Sequence, residues 1–149
     1  MSNATPLGVT EEQIAAAEAE LGIRFPDRLR EVWKTYNCNE LPGGWRVYPV
    51  FDPANPRKTA GSITYENLRG AWGRHVMTLG LISIASNGTG NQLVLKVDEG
   101  QAGAEIFFWQ HDTQKLKAWK PGFDSIAGRA AKARDNVQRL RQTFGTRER

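Results

Sequence analysis

The sequence predicts an α+β fold: a single domain in which an antiparallel β-sheet carries N-terminal helices and a C-terminal helix packed on it. Three observations carry this expectation. Two β-prone runs, residues 81–86 and 92–97, meet at Asn87-Gly88-Thr89-Gly90-Asn91. Asn and Gly tolerate the positive φ that tight turns demand, so the pair reads as a hairpin at the centre of the sheet. Amphipathic helical patterns precede and follow the strand-like runs rather than alternating regularly with them, which is the order of an α+β chain. A length of 149 residues with 40% hydrophobic content suits one core, burying about two-thirds of the surface that the unfolded chain exposes. No linker, repeat or low-complexity stretch divides the chain.

Val9-Thr10-Glu11-Glu12-Gln13-Ile14 is a full helix-start signature. Thr10 is the N-cap, Gln13 closes a capping box, and Val9 and Ile14 are spaced as a hydrophobic staple. Ile14, Ala17 and Leu21 share the inner face, Glu18 and Glu20 remain outside, and Gly22 ends the helix. Pro26 suits the first position of a second helix, whose stripe is Leu29, Val32, Trp33 and Tyr36; Asn37-Cys38-Asn39 ends it. After the turn at Pro42-Gly43-Gly44, Trp45, Val47 and Phe51 alternate with Arg46 and Tyr48 as in a strand, and Pro49 places that strand at an edge or ends it early. Residues 52–61 read as an exposed loop. Ser62 or Thr64 caps a third helix with Tyr65, Leu68 and Trp72 on one face, ending near Gly73.

Beyond the hairpin come a loop over residues 98–103 and a strand over residues 105–111. In that strand Ile106 and Phe108 share one face and Phe107 and Trp109 the other, so both faces need cover, helices supplying one of them. Asp112-Thr113-Gln114 turns into a short strand over residues 116–119, closed by Lys120-Pro121-Gly122. Asp124 or Ser125 then caps a long helix in which Ile126, Ala130, Ala133, Val137, Leu140 and Phe144 recur at steps of four and three. That stripe is expected to dock on the domain or on a second copy, giving a homodimer through the C-terminal helix and leaving Arg134, Arg139 and Arg141 in solvent.

The net charge of +4 is unevenly distributed. Residues 129–149 hold seven Lys and Arg against Asp135 and Glu148, a net +5, which leaves residues 1–128 at −1. The chain thus divides into a domain over residues 10–128, a basic helical extension over 129–149 and a flexible N-terminus over 1–9, where Ser2-Asn3-Ala4 reads as a vector-derived remnant. Basic charge raises nucleic acid or an acidic partner, bound through the C-terminal helix, as the alternative; for nucleic acid the extension has only Phe144 as an aromatic, too little for a stacking platform. The apolar runs are far too short to span a bilayer. With one cysteine, Cys38, no internal disulfide is available, and a reducing cytoplasm is the expected compartment.

No motif argues for catalysis. The hairpin glycines fit neither the dinucleotide nor the P-loop spacing, and no helix follows them. His111-Asp112 lacks the further His and Asp ligands of a metal site, since His75 is the other imidazole and Cys38 the sole thiol. The expectation is no enzyme, no metal and no cofactor. The residues expected to face a protein partner are Trp109 and Trp119, aromatics in a sheet-edge region with polar neighbours, together with His111, Asp112, Asn91 and Tyr48.

Taken in order, several segments carry a resemblance. They are Ala17-Glu18-x-x-Leu21-Gly22-Ile23-x-Phe25-Pro26, then Leu29, Asn37 and Trp45, the run from Leu81 to Ala85, Asn87-Gly88-Thr89-Gly90-Asn91, Trp109-x-His111-Asp112, and Phe123 opening the last helix. Over roughly residues 10 to 130 this pattern resembles the SMI1/KNR4 family, also called the SUKH superfamily. The resemblance implies an α+β domain with helices packed on an antiparallel sheet and no catalytic residues. It also implies a protein partner: bacterial members are mostly inferred to be immunity proteins that neutralise a cognate polymorphic or contact-dependent toxin, and fungal members are regulatory scaffolds. Two features depart from the pattern. Many relatives have Asp where Asn91 stands, and the basic helix beyond Arg129 is longer than the pattern requires.

Overall fold

A computed structural model describes residues 6–147 of the chain, and the side chains of residues 6–144. Ser2-Asn3-Ala4 lies outside the described residues. Thr10 is extended, its hydroxyl accepts from the Gln13 N–H, and the Gln13 amide oxygen accepts from the Thr10 N–H at 2.8 Å, so the capping box opens α1 (Glu11–Leu21). Gly22, at φ 67°, ends the helix. Val9 and Ile14 are both buried. Leu7 to Val9, which the sequence assigns to a flexible N-terminus, is instead tied to the second helix. Val9 N–H donates to the Trp33 carbonyl and Asn37 N–H to the Leu7 carbonyl. Glu18 also differs from expectation. Its carboxylate is 12% exposed, accepts from the Phe25 N–H at 2.8 Å and sits 3.6 Å from buried Arg30, so it ties α1 to Phe25 and to the second helix.

α2 (Asp27–Thr35) begins one residue later than expected, with Pro26 as its extended N-cap. Leu29, Val32 and Trp33 are buried. Trp33 meets Phe25 edge to face at 5.0 Å and donates its indole N–H to the Tyr48 carbonyl. Two short strands come next, β1 (Glu40–Leu41) and β2 (Trp45–Val47). The expected longer strand stops because Pro49 has no N–H to give. The Val50 N–H and carbonyl are taken instead by the Asn37 amide. Once the chain leaves the ladder, alternation lapses: Phe51 turns outward, 46% exposed, and Tyr48 turns inward, 3% exposed.

The single third helix expected here is two, α3 (Ile63–Leu68) and α4 (Ala71–Met77). Ser62 caps the first, its hydroxyl accepting from the Tyr65 N–H. The break falls at Gly70, whose extended ψ of 143° cannot continue a helix. α4 packs so closely that a Cβ on Gly73 would lie 2.1 Å from the Glu66 carbonyl oxygen.

The hairpin then forms as predicted from β3 (Leu81–Ser86) and β4 (Gln92–Asp98), with Gly88 at φ 83° and Gly90 at φ 95°. β5 (Gln101–Ala102), in the stretch read as a loop, folds back on β4; β6 (Phe107–Gln110) and β7 (Lys115–Ala118) complete the sheet. The order is β1-β2-β3-β4-β6-β7, every strand pairing being antiparallel, so the hairpin is central and β1, not β2, takes the edge. The pairing of β3 with β4 shifts between Ser83 and Ala85, a bulge. On one face lies the main core, built with α1, α2, Ile63 and the start of the last helix. On the other, Val76 of α4 covers Leu81, Val94 and Trp109, with Phe107 beside them. The alternation read in β6 is therefore met, and helices cover both faces.

Between the strands Gln92 Oε1 accepts from the buried Tyr48 and Ser83 hydroxyls. Burial holds the Tyr48 phenol above its ordinary value of 10.0. A raised folded-state pKa gives stability that is complete below the unfolded value and is lost as pH rises through the folded one. Tyr48→Phe is therefore expected to flatten the fall in melting temperature above pH about 10, as a pH series of thermal melts would show; an unchanged alkaline slope would assign that loss to other groups.

α5 (Gly122–Arg147) starts ahead of Asp124 and Ser125 and continues without a break past residue 128. Ile126 and Ala130 are buried and Ala133 and Val137 half-buried, while Leu140 and Phe144 are exposed, so the apolar stripe docks over its first half. Arg134 is not left to solvent. It donates to the Thr35 carbonyl at 2.8 Å, at the C-terminal end of α2, where a cation is favoured.

Candidate recognition site

The antiparallel order brings the β3–β4 turn and the β6–β7 turn to the same end of the sheet. Gln92 pairs with Trp109, and one residue beyond, Asn91 Oδ1 accepts from the His111 N–H at 3.0 Å. Asp112 Oδ1 is 3.3 Å from His111 Nδ1. The Trp72 ring reaches in from α4, its centroid 5.2 Å from that of His111 and 5.9 Å from that of Trp109. His75, one turn further along α4, lies 5.6 Å from Trp109 and bonds Gln114 through Nε2 at 2.8 Å. Gly90 makes this approach feasible, because a Cβ there would come within 3.0 Å of the His111 ring and 3.1 Å of Trp72.

Four of the six residues expected to meet a partner are thus brought together: Trp109, His111, Asp112 and Asn91. They do not share one exposure. Trp109 is 0% exposed and is the base on which Trp72 and His75 lie; its indole N–H finds no acceptor among the described residues. The expectation that Trp109 faces a partner does not agree with this burial, which results from its position on a sheet face that α4 covers. Tyr48 likewise belongs to the core and does not reach the surface. Trp119 stands apart from the group, half-buried against the main core just after β7.

What the sequence missed is the outer face of α3 and α4. Tyr65, Leu68 and Trp72, read from the sequence as the apolar face of one helix, are 51%, 43% and 42% exposed. The inward positions belong to Ile63, Thr64 and Asn67 in α3 and to Gly73 and Val76 in α4. Phe51 joins Tyr65 and Leu68 in a shallow groove edged by Glu20, Arg69 and Arg74. The available signal was the pair of glycines, Gly70 and Gly73, which only a helix break and a close helix-to-helix approach require.

In chemical terms this surface offers aromatic faces, apolar stems and imidazole edges. Among the described residues no group of three or more His, Cys, Asp and Glu is arranged to hold a metal ion. Burial pushes the Cys38 thiol up, away from the thiolate that a nucleophile needs. No helix among the described residues is long and apolar enough to cross a membrane.

Comparison with family models gives one match, to the SMI1 / KNR4 family (SUKH-1), over residues 8–126. The chain belongs to the SMI1/KNR4 family. No curated protein and no solved structure matches it. The matched span of this SMI1/KNR4 domain contains the whole sheet, α1 to α4 and the cluster around His111, and it stops in the first turns of α5.

Proposed function

We propose that this SMI1/KNR4 domain is a non-catalytic binding module, an immunity protein that neutralises a cognate toxin in the cytoplasm by covering it with the outer face of α3 and α4 and the adjoining His111 turn. SUKH proteins are commonly immunity proteins. The observation that carries the reading for this chain is the outward display of Tyr65, Leu68 and Trp72. Large apolar side chains grouped at a surface mark interaction sites, and aromatic anchors contribute most of the energy at protein interfaces. Asn91, His111 and Asp112 supply polar contacts at its rim, and Trp109 supports the group from beneath. Nucleic acid is a weaker fit for the basic helix, because Arg134 is held by the Thr35 carbonyl and Arg139 bonds Asn136.

The test is a titration against the cognate toxin. Tyr65→Ala and Leu68→Ala, which leave the core untouched, are expected to melt as the wild type does. Tyr65→Ala or Trp72→Ala should weaken binding about 30-fold, some 2 kcal/mol, whereas Arg139→Glu should change it less than about tenfold. Undiminished affinity in the three α3–α4 variants would remove this surface from the interface.

A further inference from the structure

A separate groove of about 470 Å³ lies where α5 passes the segment joining α2 to β2. Four cations line it, Arg46, Lys58, Arg129 and Lys132, against one carboxylate, Glu40. Arg46 is engaged, 3.6 Å from Glu66 and bonded to the Gly61 carbonyl. Among the described residues Lys58, Arg129 and Lys132 have no carboxylate within the 4.0 Å of an ion pair. A concavity with an excess of one sign of charge focuses its field and draws in counter-charge. The +5 of the C-terminal segment is therefore not a uniform basic face: Arg129 and Lys132, one helical turn apart, look into a groove whose other wall supplies Lys58.

We propose that this groove binds an acidic segment of a protein partner, its carboxylates paired by Lys58, Arg129 and Lys132. The inference goes beyond the α3–α4 surface and rests on the reading of the chain as a protein-binding module. Two features favour a peptide over a nucleic acid strand. Val47, Pro49 and Ala133 also line the groove, apolar surface that suits the methylene stems of Asp and Glu. Tyr36 is the sole aromatic in the lining, so successive bases have nothing to stack on.

Cys38, the only thiol of the chain, is in the same lining and serves as a local reporter. The experiment uses the full chain and a fluorescein-labelled hexaglutamate peptide, read by anisotropy and by the rate at which iodoacetamide alkylates Cys38. The peptide is expected to bind in a salt-sensitive manner and to slow alkylation. Arg129→Glu with Lys132→Glu, and separately Lys58→Glu, should each weaken binding at least about tenfold, while Arg139→Glu, outside the lining, should leave it within about twofold. All four altered positions are exposed, and far-UV circular dichroism checks that each variant is folded. Hexaglutamate that fails to protect Cys38, or that binds the groove variants as well as the wild type, would overturn the proposal. So would oligothymidylate binding more tightly than the peptide at physiological salt. No toxin enters this assay, so its outcome is independent of the Tyr65 and Trp72 titrations.

Discussion

Asn67→Leu is expected to be the most damaging single substitution in the domain, costing about 3–5 kcal/mol, with a fall in melting temperature of roughly 10 °C or more. β2 is short and leaves β3 at Tyr48, so Ser83 has no strand beside it on that side. Asn67, reaching down from α3, takes the vacant place. Its Nδ2 donates to the Ser83 carbonyl at 2.8 Å and its Oδ1 accepts from the Ser83 N–H at 2.9 Å, both in the buried interior. Leucine has a similar size and no polar atom, and would leave both backbone groups desolvated without partners, each costing about 1–3 kcal/mol. Thermal and urea unfolding would measure the loss. A melting temperature within a degree or two of wild type would mean that Ser83 finds other partners and that the amide is dispensable.

Gly73→Ala has the second largest expected effect on stability, and its sign is the informative part. In a helix interior alanine is favoured over glycine by about 1 kcal/mol. Here the added methyl would meet the Glu66 carbonyl oxygen at 2.1 Å and the Asn67 Cα at 2.9 Å, backbone atoms that cannot swing aside. Forcing the two helices apart costs about 2–3 kcal/mol in a well-packed site, which outweighs the propensity gain and leaves the variant about 1–2 kcal/mol less stable. Gly128→Ala in α5 is the control, since nothing lies within 4 Å of its Cβ position. That variant should gain up to about 1 kcal/mol. If both substitutions stabilise, the close approach of α4 to α3 is wrong.

The elements that local chemistry specifies were legible in the sequence. A capping box, a glycine terminator and a glycine-rich turn between β-prone runs each encode their own geometry, and the alternation in β6 assigned Ile106 and Trp109 to opposite faces correctly. The candidate site was legible only in part. Asn91, His111 and Asp112 were candidates at turns and a strand end, yet their proximity depends on the pairing of β4 with β6, which no local pattern states. The outer face of α3 and α4 was misread because periodicity equates apolar with buried. At this surface Tyr65 and Leu68 are outside, while Asn67, Thr64 and Gly73 fill the inside. Asn37 misled in the same way. It reads as the polar end of a helix, but its side chain completes the hydrogen bonding of Val50 in the core.

The division of labour within α3 has a consequence for how such a surface changes over generations. Ile63 and Asn67 hold the helix to the sheet, whereas Tyr65 and Leu68 are outward and about half exposed. Substitutions at positions of the second kind ordinarily shift stability by no more than about 0.5 kcal/mol. The chain can therefore exchange the residues at 65 and 68 singly, and on the interface proposed above such exchanges would alter partner preference through intermediates that all fold. Trp72 has less of this freedom, because its ring also packs on Trp109 and His111. If that face is the interface, divergence of specificity is expected first at positions 65 and 68, with position 72 following only when Gly90 and His111 change with it.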